Sequence, residues 1–360
     1  MTSSSDLEQI ETRTLSLVRD FSFLHADDPV ANSCKAVADA VAQQAVTSSE
    51  GGKRLRALLT LDAFRAFAPQ DVAERDMDAV LDLACAIEVF QTGALVHDDI
   101  IDESDLRRGK PSAHHALEQA VHSGAIGRGL GLMLGDILAT ACIEITRRSA
   151  SRLPNTDALN EAFLTMQREV EIGQVLDLAV EMTPLSNPEA LANASLNVFR
   201  WKTASYTTIA PLLLALLAAG ESPDQARHCA LAVGRPLGLA FQLADDLLDV
   251  VGSSRNTGKP IGGDIREGKR TVLLADALSA ADTADKADLI AIFEADCRND
   301  NQVARTIELF TSTGALDRSR ERIAALWGES RKAIAGLELN SEAQRRLTEA
   351  CARFVPESLR

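Results

Sequence analysis

Aromatic side chains are scarce in this sequence, with one Tyr, two Trp and 11 Phe making up 4% of 360 residues. A cavity walled by rings to steer a cation is therefore not expected. The six cysteines, at 34, 85, 142, 229, 297 and 351, never form a C-x-x-C pair. Neither a thiolate metal centre nor a redox dithiol is indicated, and reduced cytosolic thiols are expected. Positive charge is also in deficit: 37 Lys and Arg stand against 52 Asp and Glu, a formal net charge of -15. That balance argues against a nucleic-acid partner and against attraction to an anionic membrane, since both need a basic face. The longest uninterrupted apolar run, APLLLALLAAG at 210–220, is about half the length that a bilayer requires. It reads as a buried helix, and no stable membrane insertion is expected. The first residues, MTSSSDLEQIETRTLSLVRD, lack the apolar core of a signal peptide, so a cytoplasmic protein is expected.

What is abundant is Ala and Leu, within a hydrophobic content of 46%, while β-branched runs bounded by turn residues are few. The expectation is an all-α protein. Residues 1–25 read as a flexible leader and 26–360 as one domain, because no composition break divides the chain. A first helix ends at the turn signal Ser48-Ser49-Glu50-Gly51-Gly52. From Ala79 to about Asp102 the chain is almost continuously apolar or small and predicts a long interior helix, which LRRGKPSAHH interrupts at Gly109 and Pro111. Further helices are predicted at about 127–149, 157–181, 189–219 and 223–251, followed by a polar, glycine-rich loop at 252–269 that is too long for a simple connector.

Two helices carry the same acidic pattern. Asp98 and Asp102 lie four residues apart, so both carboxylates share one helix face and Asp99 is rotated about 100° away. Asp245 and Asp249 repeat the arrangement, with Asp246 offset. One acidic pair is as readily a solvated face, but two such pairs inside apolar helices need cations to offset repulsion and desolvation. Hard oxygen donors without His or Cys suit magnesium, which takes one or two carboxylates and substrate phosphate oxygens. Cations stand in discrete clusters near glycine: GGKRLR at 51–56, LRRGK at 106–110, RWKT at 200–203, and Lys259 and Lys269 in the long loop. His97, His114 and His115 read as hydrogen-bonded structural residues, and Gln174 and Asp177 as support for the site.

These motifs, in this order and together with Gln91, GD at 135–136, GQVLDL at 173–178, FQLADDLLD at 241–249 and TGKPIGGDIREGKRT at 257–271, resemble those of the trans-isoprenyl diphosphate synthases over roughly residues 30 to 355. The resemblance implies a bundle of long antiparallel helices around a central active-site cavity, the isoprenoid synthase fold, and a homodimer. It implies that Asp98 and Asp102 bind two magnesium ions and Asp245 a third, with Asp99 and Asp249 supporting the site and manganese able to substitute. Arg107, Lys202, Gln242, Lys259 and Lys269 would hold the allylic diphosphate, and Lys53, Arg56, Gln91 and Arg108 that of isopentenyl diphosphate. Thr203 would present its oxygen to the allylic cation, which makes Lys202, Thr203 and Arg107 the catalytic candidates. The expected reaction is head-to-tail condensation of isopentenyl diphosphate with dimethylallyl, geranyl or farnesyl diphosphate.

Product length is expected to depend on the wall below Asp98. Gly93 and Ala94 are small, and Phe90 lies about 12 Å of helix rise below Asp98. A ring there would form a floor at the depth of a geranylgeranyl chain, with Gly93 opening the space above it. Farnesyl and longer-chain synthases are the alternatives. A class I terpene cyclase fits the all-acidic DDLLD motif and the low aromatic content less well, and a non-catalytic partner subunit would be expected to lose a motif that this chain keeps.

Overall fold

The computed structural model describes residues 4–25, 28–252 and 261–360. It is helical almost throughout, and its contacts divide the chain into two compact units, Met1–Leu164 with Pro211–Ala226, and Thr165–Ala210 with Arg227–Arg360.

In the first unit, helices α1 (Ser4–Ser22), α2 (Asn32–Ser49) and α3 (Leu55–Phe67) precede the 32-residue α4 (Gln70–Ile101). The predicted long helix is present and begins nine residues before Ala79. Its Ala- and Leu-rich middle is apolar on every side, and it packs chiefly against α6 (Gly124–Ala150), and also against α3 and α1. The α4–α6 contact is close because glycines face it. A Cβ on Gly93 would lie 3.2 Å from the Gly135 carbonyl oxygen and 3.2 Å from Leu138 Cβ, and one on Gly135 would overlap the His97 ring. Gly93 therefore abuts α6 and opens no cavity, which corrects its expected place in the product wall.

The interruption after α4 is a two-residue hairpin. Leu106–Arg107 pairs antiparallel with Lys110–Pro111, and Arg108 and Gly109 turn between them with φ of 53° and 75°, the left-handed pair that a tight hairpin needs. Helix α5 (Ala113–Val121) then leads into α6.

The expected flexible leader is also corrected. Ile10, Thr14 and Val18, spaced by four, are all 0% exposed. Arg65 donates two hydrogen bonds to Asp6 (2.8 and 2.9 Å), and Arg13 donates to Asp82 at 2.9 Å and pairs with Asp78. The apolar stripe of α1 is one residue wide amid charges, so its pattern is weak, but burial and ion pairs fix it.

The second unit opens within α7 (Thr156–Val180). The predicted 189–219 helix is one helical run in three parts: α8 (Pro188–Val198), a π-type stretch at Phe199–Ile209 and α9 (Ala210–Ala218). Wide turns of this kind are rare and gather at functional sites. The apolar run at 210–220 is largely α9, which from Pro211 belongs to the first unit, and its Leu212 and Leu214–Ala218 are buried. Helix α10 (Pro223–Val251) carries the second acidic motif. A short helix, α11 (Gly263–Glu267), lies inside the predicted 252–269 loop. Helices α12 (Val272–Ala280), α13 (Thr283–Phe293), α14 (Asp300–Ser312), α15 (Ala315–Ala335) and α16 (Ser341–Ala352) follow. Four of these five starts, all but that of α15, carry a capping side chain. Thr271 accepts from Leu274 N, Asp282 from Ala284 N and Asp285 N, and Asn340 from Ala343 N, while Asn299 and Gln302 form a capping box.

Among the described residues two helices, α4 and α6, are long and apolar enough to cross a membrane by length and composition, although neither holds a long uninterrupted run. The apolar window of α4 is 78% buried within the fold and that of α6 44%.

Candidate active site

The first acidic motif occupies the last turn of α4, where Asp102 N donates to Asp98 O at 2.8 Å. Asp98 and Asp102 are half-buried, whereas Asp99 is only 2% exposed. Asp99 Oδ1 accepts from Arg107 Nε at 2.8 Å and also pairs with its Nη2. Burial pushes the Asp99 carboxyl up, and Arg107 opposes it. For Arg107, burial disfavours the charge, but the Asp99 bond and the charges of Asp98 and Asp102 outweigh it and hold the guanidinium firmly protonated. The hairpin sends its next residue elsewhere: Arg108 Nη1 donates to the carbonyls of Glu50 (2.7 Å) and Gly51 (3.2 Å). Burial and the nearby Arg54 lower its pKa. Arg107, Arg108 and Lys110 line one cleft with Glu50, Thr92 and Asp99.

Sequence reasoning placed Lys53, Arg56 and Gln91 with Arg108. The structure puts Lys53 on the loop whose carbonyls anchor Arg108, exposed to solvent, with Arg56 buried in the first turn of α3 and Gln91 half-buried on α4. Phe90 is buried, and Ala94, one turn below Asp98 on the same face, is half-exposed. Of Gly93 and Ala94, it is Ala94 that shares the Asp98 face. The three histidines are hydrogen-bonded: His97 Nε2 lies 3.2 Å from Leu132 O, His114 Nδ1 3.3 Å from Ser112 Oγ, and His115 Nδ1 3.1 Å from Glu118.

The second motif, in the other unit, has the same internal division. Asp245 is exposed and Asp249 half-buried, while Asp246 is 5% exposed. Asp246 accepts from Gln242 Nε2 at 2.8 Å, and Gln242 Oε1 accepts from Thr203 Oγ1 at 2.9 Å. Burial, then the charge of Asp264, holds the Asp246 carboxyl well above the usual range. Lys202 pairs with Asp177 at 2.6 Å. Both Lys202 and Thr203 lie in the π-type stretch, and Gly173 lets α7 approach the Lys202 backbone where a Cβ would collide with it. Asp249 accepts from the backbone of Gly263 (3.2 Å) and Asp264 (3.1 Å), capping α11, and Lys269 pairs with Glu267 at 2.8 Å and Asp264 at 3.5 Å. Lys259 lies outside the described residues.

Among the described residues no three His, Cys, Asp or Glu side chains converge to cage an ion. The donors still fit a hard divalent cation. In each motif the first and fifth acids are accessible and the middle one is buried, so the accessible pair offers oxygens that waters and phosphate oxygens can complete. Sequence reasoning passed over Arg54, Glu88 and Glu11. The available signal was Glu88, a lone acid in the apolar run LACAIEVF.

Residues 38–310 match the profile of the family described as polyprenyl synthetase. The short chain isoprenyl diphosphate synthase of Methanothermobacter thermautotrophicus is 32% identical over 270 residues, 74% of this chain and 75% of that protein. The octaprenyl diphosphate synthase of Escherichia coli is 30% identical over 291 residues, 81% of each. Among solved structures, the geranylgeranyl pyrophosphate synthase of Corynebacterium glutamicum, complexed with isoprenyl diphosphate and magnesium, is similar with a TM-score of 0.85 at 30% identity, covering 98% of this chain and 99% of that one.

Proposed function

Because the chain belongs to the polyprenyl synthetase family, we infer that this head-to-tail prenyltransferase makes mainly geranylgeranyl diphosphate from isopentenyl diphosphate and an allylic diphosphate. The observation that carries the site assignment is the division within each acidic motif, an accessible pair of acids beside a buried third that is tied to a polar or cationic partner. Asp98 and Asp102 would hold two magnesium ions and Asp245 a third, with Asp249 in support. The ions would supply positive charge to a departing diphosphate.

The protein's own groups do the rest. Arg107, fixed by Asp99, stays charged; with Lys202, Lys259 and Lys269 and the amide of Gln242 it draws on the allylic diphosphate. Preorganised charge of this kind favours the state in which the allylic carbon–oxygen bond has broken. Thr203, oriented by Gln242, directs its oxygen toward the allylic carbon. Lys53, Arg56, Gln91 and Arg108 hold isopentenyl diphosphate so that its double bond attacks that carbon. The new carbon–carbon bond forms, the proton lost from the adduct passes to the released diphosphate, and the product keeps the diphosphate of isopentenyl diphosphate.

The geranylgeranyl assignment is supported by the likeness to the Corynebacterium glutamicum enzyme and by the ladder of Asp98, Ala94 and Phe90 at i, i-4, i-8, with a small residue above an aromatic ring. Exposed Ile126, Met133 and Ile143 on α6 support a homodimer, since a second copy would cover them. With α4 interior and α6 so covered, the protein is read as cytoplasmic and not membrane-inserted.

The test is incubation with isopentenyl diphosphate and dimethylallyl, geranyl or farnesyl diphosphate, with magnesium or manganese, reading product mass. A C20 diphosphate as the main product is expected, with loss of turnover in excess EDTA. A C25 or longer product would replace the geranylgeranyl assignment, and full turnover in EDTA would remove the metal reading.

A further inference from the structure

The turn before α3 is held from outside itself. Gly51 and Gly52 adopt φ of 71° and 99°, and Arg54, a residue with a Cβ, is also left-handed at 49°. Three such residues within four positions need external contacts to persist. Glu11, on α1, bridges both ends of the segment: its Oε1 accepts from Gly51 N at 2.7 Å and its Oε2 from Arg54 Nε at 2.8 Å. Arg54 is 3% exposed, pairs with Glu88 of α4 at 3.4 Å and donates to the Ser49 carbonyl. Glu88 in turn accepts from Ala57 N at 3.1 Å, doing from another helix what an N-cap side chain does locally. The carbonyls of Glu50 and Gly51 meanwhile hold Arg108, whose guanidinium lies against Gly52, 3.1 Å from where a Cβ would stand. Between Glu11 at one end and Glu88 at the other sit Lys53 and Arg56.

We propose that Glu11 is a positioning residue for isopentenyl diphosphate: with Arg54 and Glu88 it sets the Gly51–Arg54 turn, and so the placement of Lys53, Arg56 and Arg108 as one diphosphate-binding group. The inference rests on the reading that those three cations bind isopentenyl diphosphate. It makes α1, which lies outside the matched residues 38–310, part of that subsite without touching substrate. A loop of this kind, when loosened, loses ordered donors at the diphosphate but leaves bond breaking at the allylic substrate unchanged, so KM and kcat separate.

The experiment measures KM for isopentenyl diphosphate, KM for the allylic substrate, kcat and Tm for wild type, Glu11→Ala, Glu11→Gln, Arg13→Ala and Lys53→Ala. Glu11→Ala is expected to raise KM for isopentenyl diphosphate about tenfold, with the other two kinetic constants within about twofold. Glu11→Gln keeps an oxygen for Gly51 N and is expected to recover part of the loss. Arg13→Ala weakens the docking of α1 through Asp78 and Asp82 without touching the turn, and is expected to lower Tm while leaving KM unchanged. An equal rise in KM for isopentenyl diphosphate in Arg13→Ala and Glu11→Ala, or a parallel rise in both KM values in Glu11→Ala, would show that α1 only stabilises the fold. Should Glu11→Ala not fold, Glu11→Gln alone decides, and a KM equal to wild type overturns the proposal. Lys53→Ala separates the two levels. If it raises KM for isopentenyl diphosphate and Glu11→Ala does not, the positioning role falls alone. If neither does, the binding assignment falls and the positioning role with it.

Discussion

At the residue scale, acids in the same five-residue motif have different environments. Asp98 and Asp245 are accessible, and Asp99 and Asp246 are enclosed. Asp98→Ala or Asp245→Ala is expected to lower kcat by at least a hundredfold, about 3 kcal/mol of lost charge stabilisation, with helical content unchanged by circular dichroism. Retention of wild-type turnover would remove that aspartate from the site. Product length gives a sharper residue-scale test. Ala94→Phe is expected to shorten the product to C15 and Phe90→Ala to lengthen it, both read by mass. Gly93→Phe is expected to lose stability instead, because its side chain would meet the Gly135 carbonyl and Leu138 at the α4–α6 contact; a folded Gly93→Phe enzyme making C15 product would restore the first reading of that position. The helix periodicity made the shared face of Asp98 and Asp102 legible from sequence. The same periodicity puts Ala94 on that face and turns Gly93 about 140° away from it; what it could not show is that α6 packs against Gly93 there.

At the element scale, the long helices were legible because Gly, Pro and cap residues punctuate them: Gly51-Gly52 after α2, Gly109 and Pro111 after α4, Asn187-Pro188 at the start of α8. Helix α1 was not, since Ile10, Thr14 and Val18 form a stripe one residue wide and the charges around it resemble a solvated leader. Its ion pairs lie 43 to 69 residues away in sequence, beyond the reach of any local pattern. Ile10→Ala is therefore expected to destabilise the protein by about 2–5 kcal/mol, measured by urea unfolding. A change below about 0.5 kcal/mol, the usual effect at a surface position, would return α1 to the status of a leader. The π-type stretch was equally hidden, because its residues continue an ordinary helical pattern and the widened turns arise where α7 and α10 press against Lys202, Ala204 and Thr208.

At the scale of the whole molecule, the net charge of -15 and the discrete cation clusters were both readable. The partners of those cations were not, since Asp99–Arg107, Asp177–Lys202 and Glu11–Arg54 are tertiary pairs. The thiols give a global check on packing. Burial pushes Cys85 and Cys142 up to about 12, and Cys229 and Cys351 are also buried, while Cys34 and Cys297 are exposed. A maleimide is expected to add two labels to the native protein and six after denaturation, counted by intact mass. Four or more labels on the native protein would mean that its interior opens under native conditions.

The buried middle acid of each motif also distinguishes a ligand-bearing cluster from ordinary surface acidity. A run of acids selected for solubility has no reason to hide one member beside an arginine or a glutamine, because concealment adds desolvation and yields no hydration. Drift at such a run would swap Asp for Glu, Gln or Ser freely at any place along it. On the reading proposed above, the outer members answer to chemistry and the middle one to architecture, so an Asp99→Asn or Asp246→Asn change is expected to show first as a misplaced Arg107 or Gln242, and only through them as a slower enzyme.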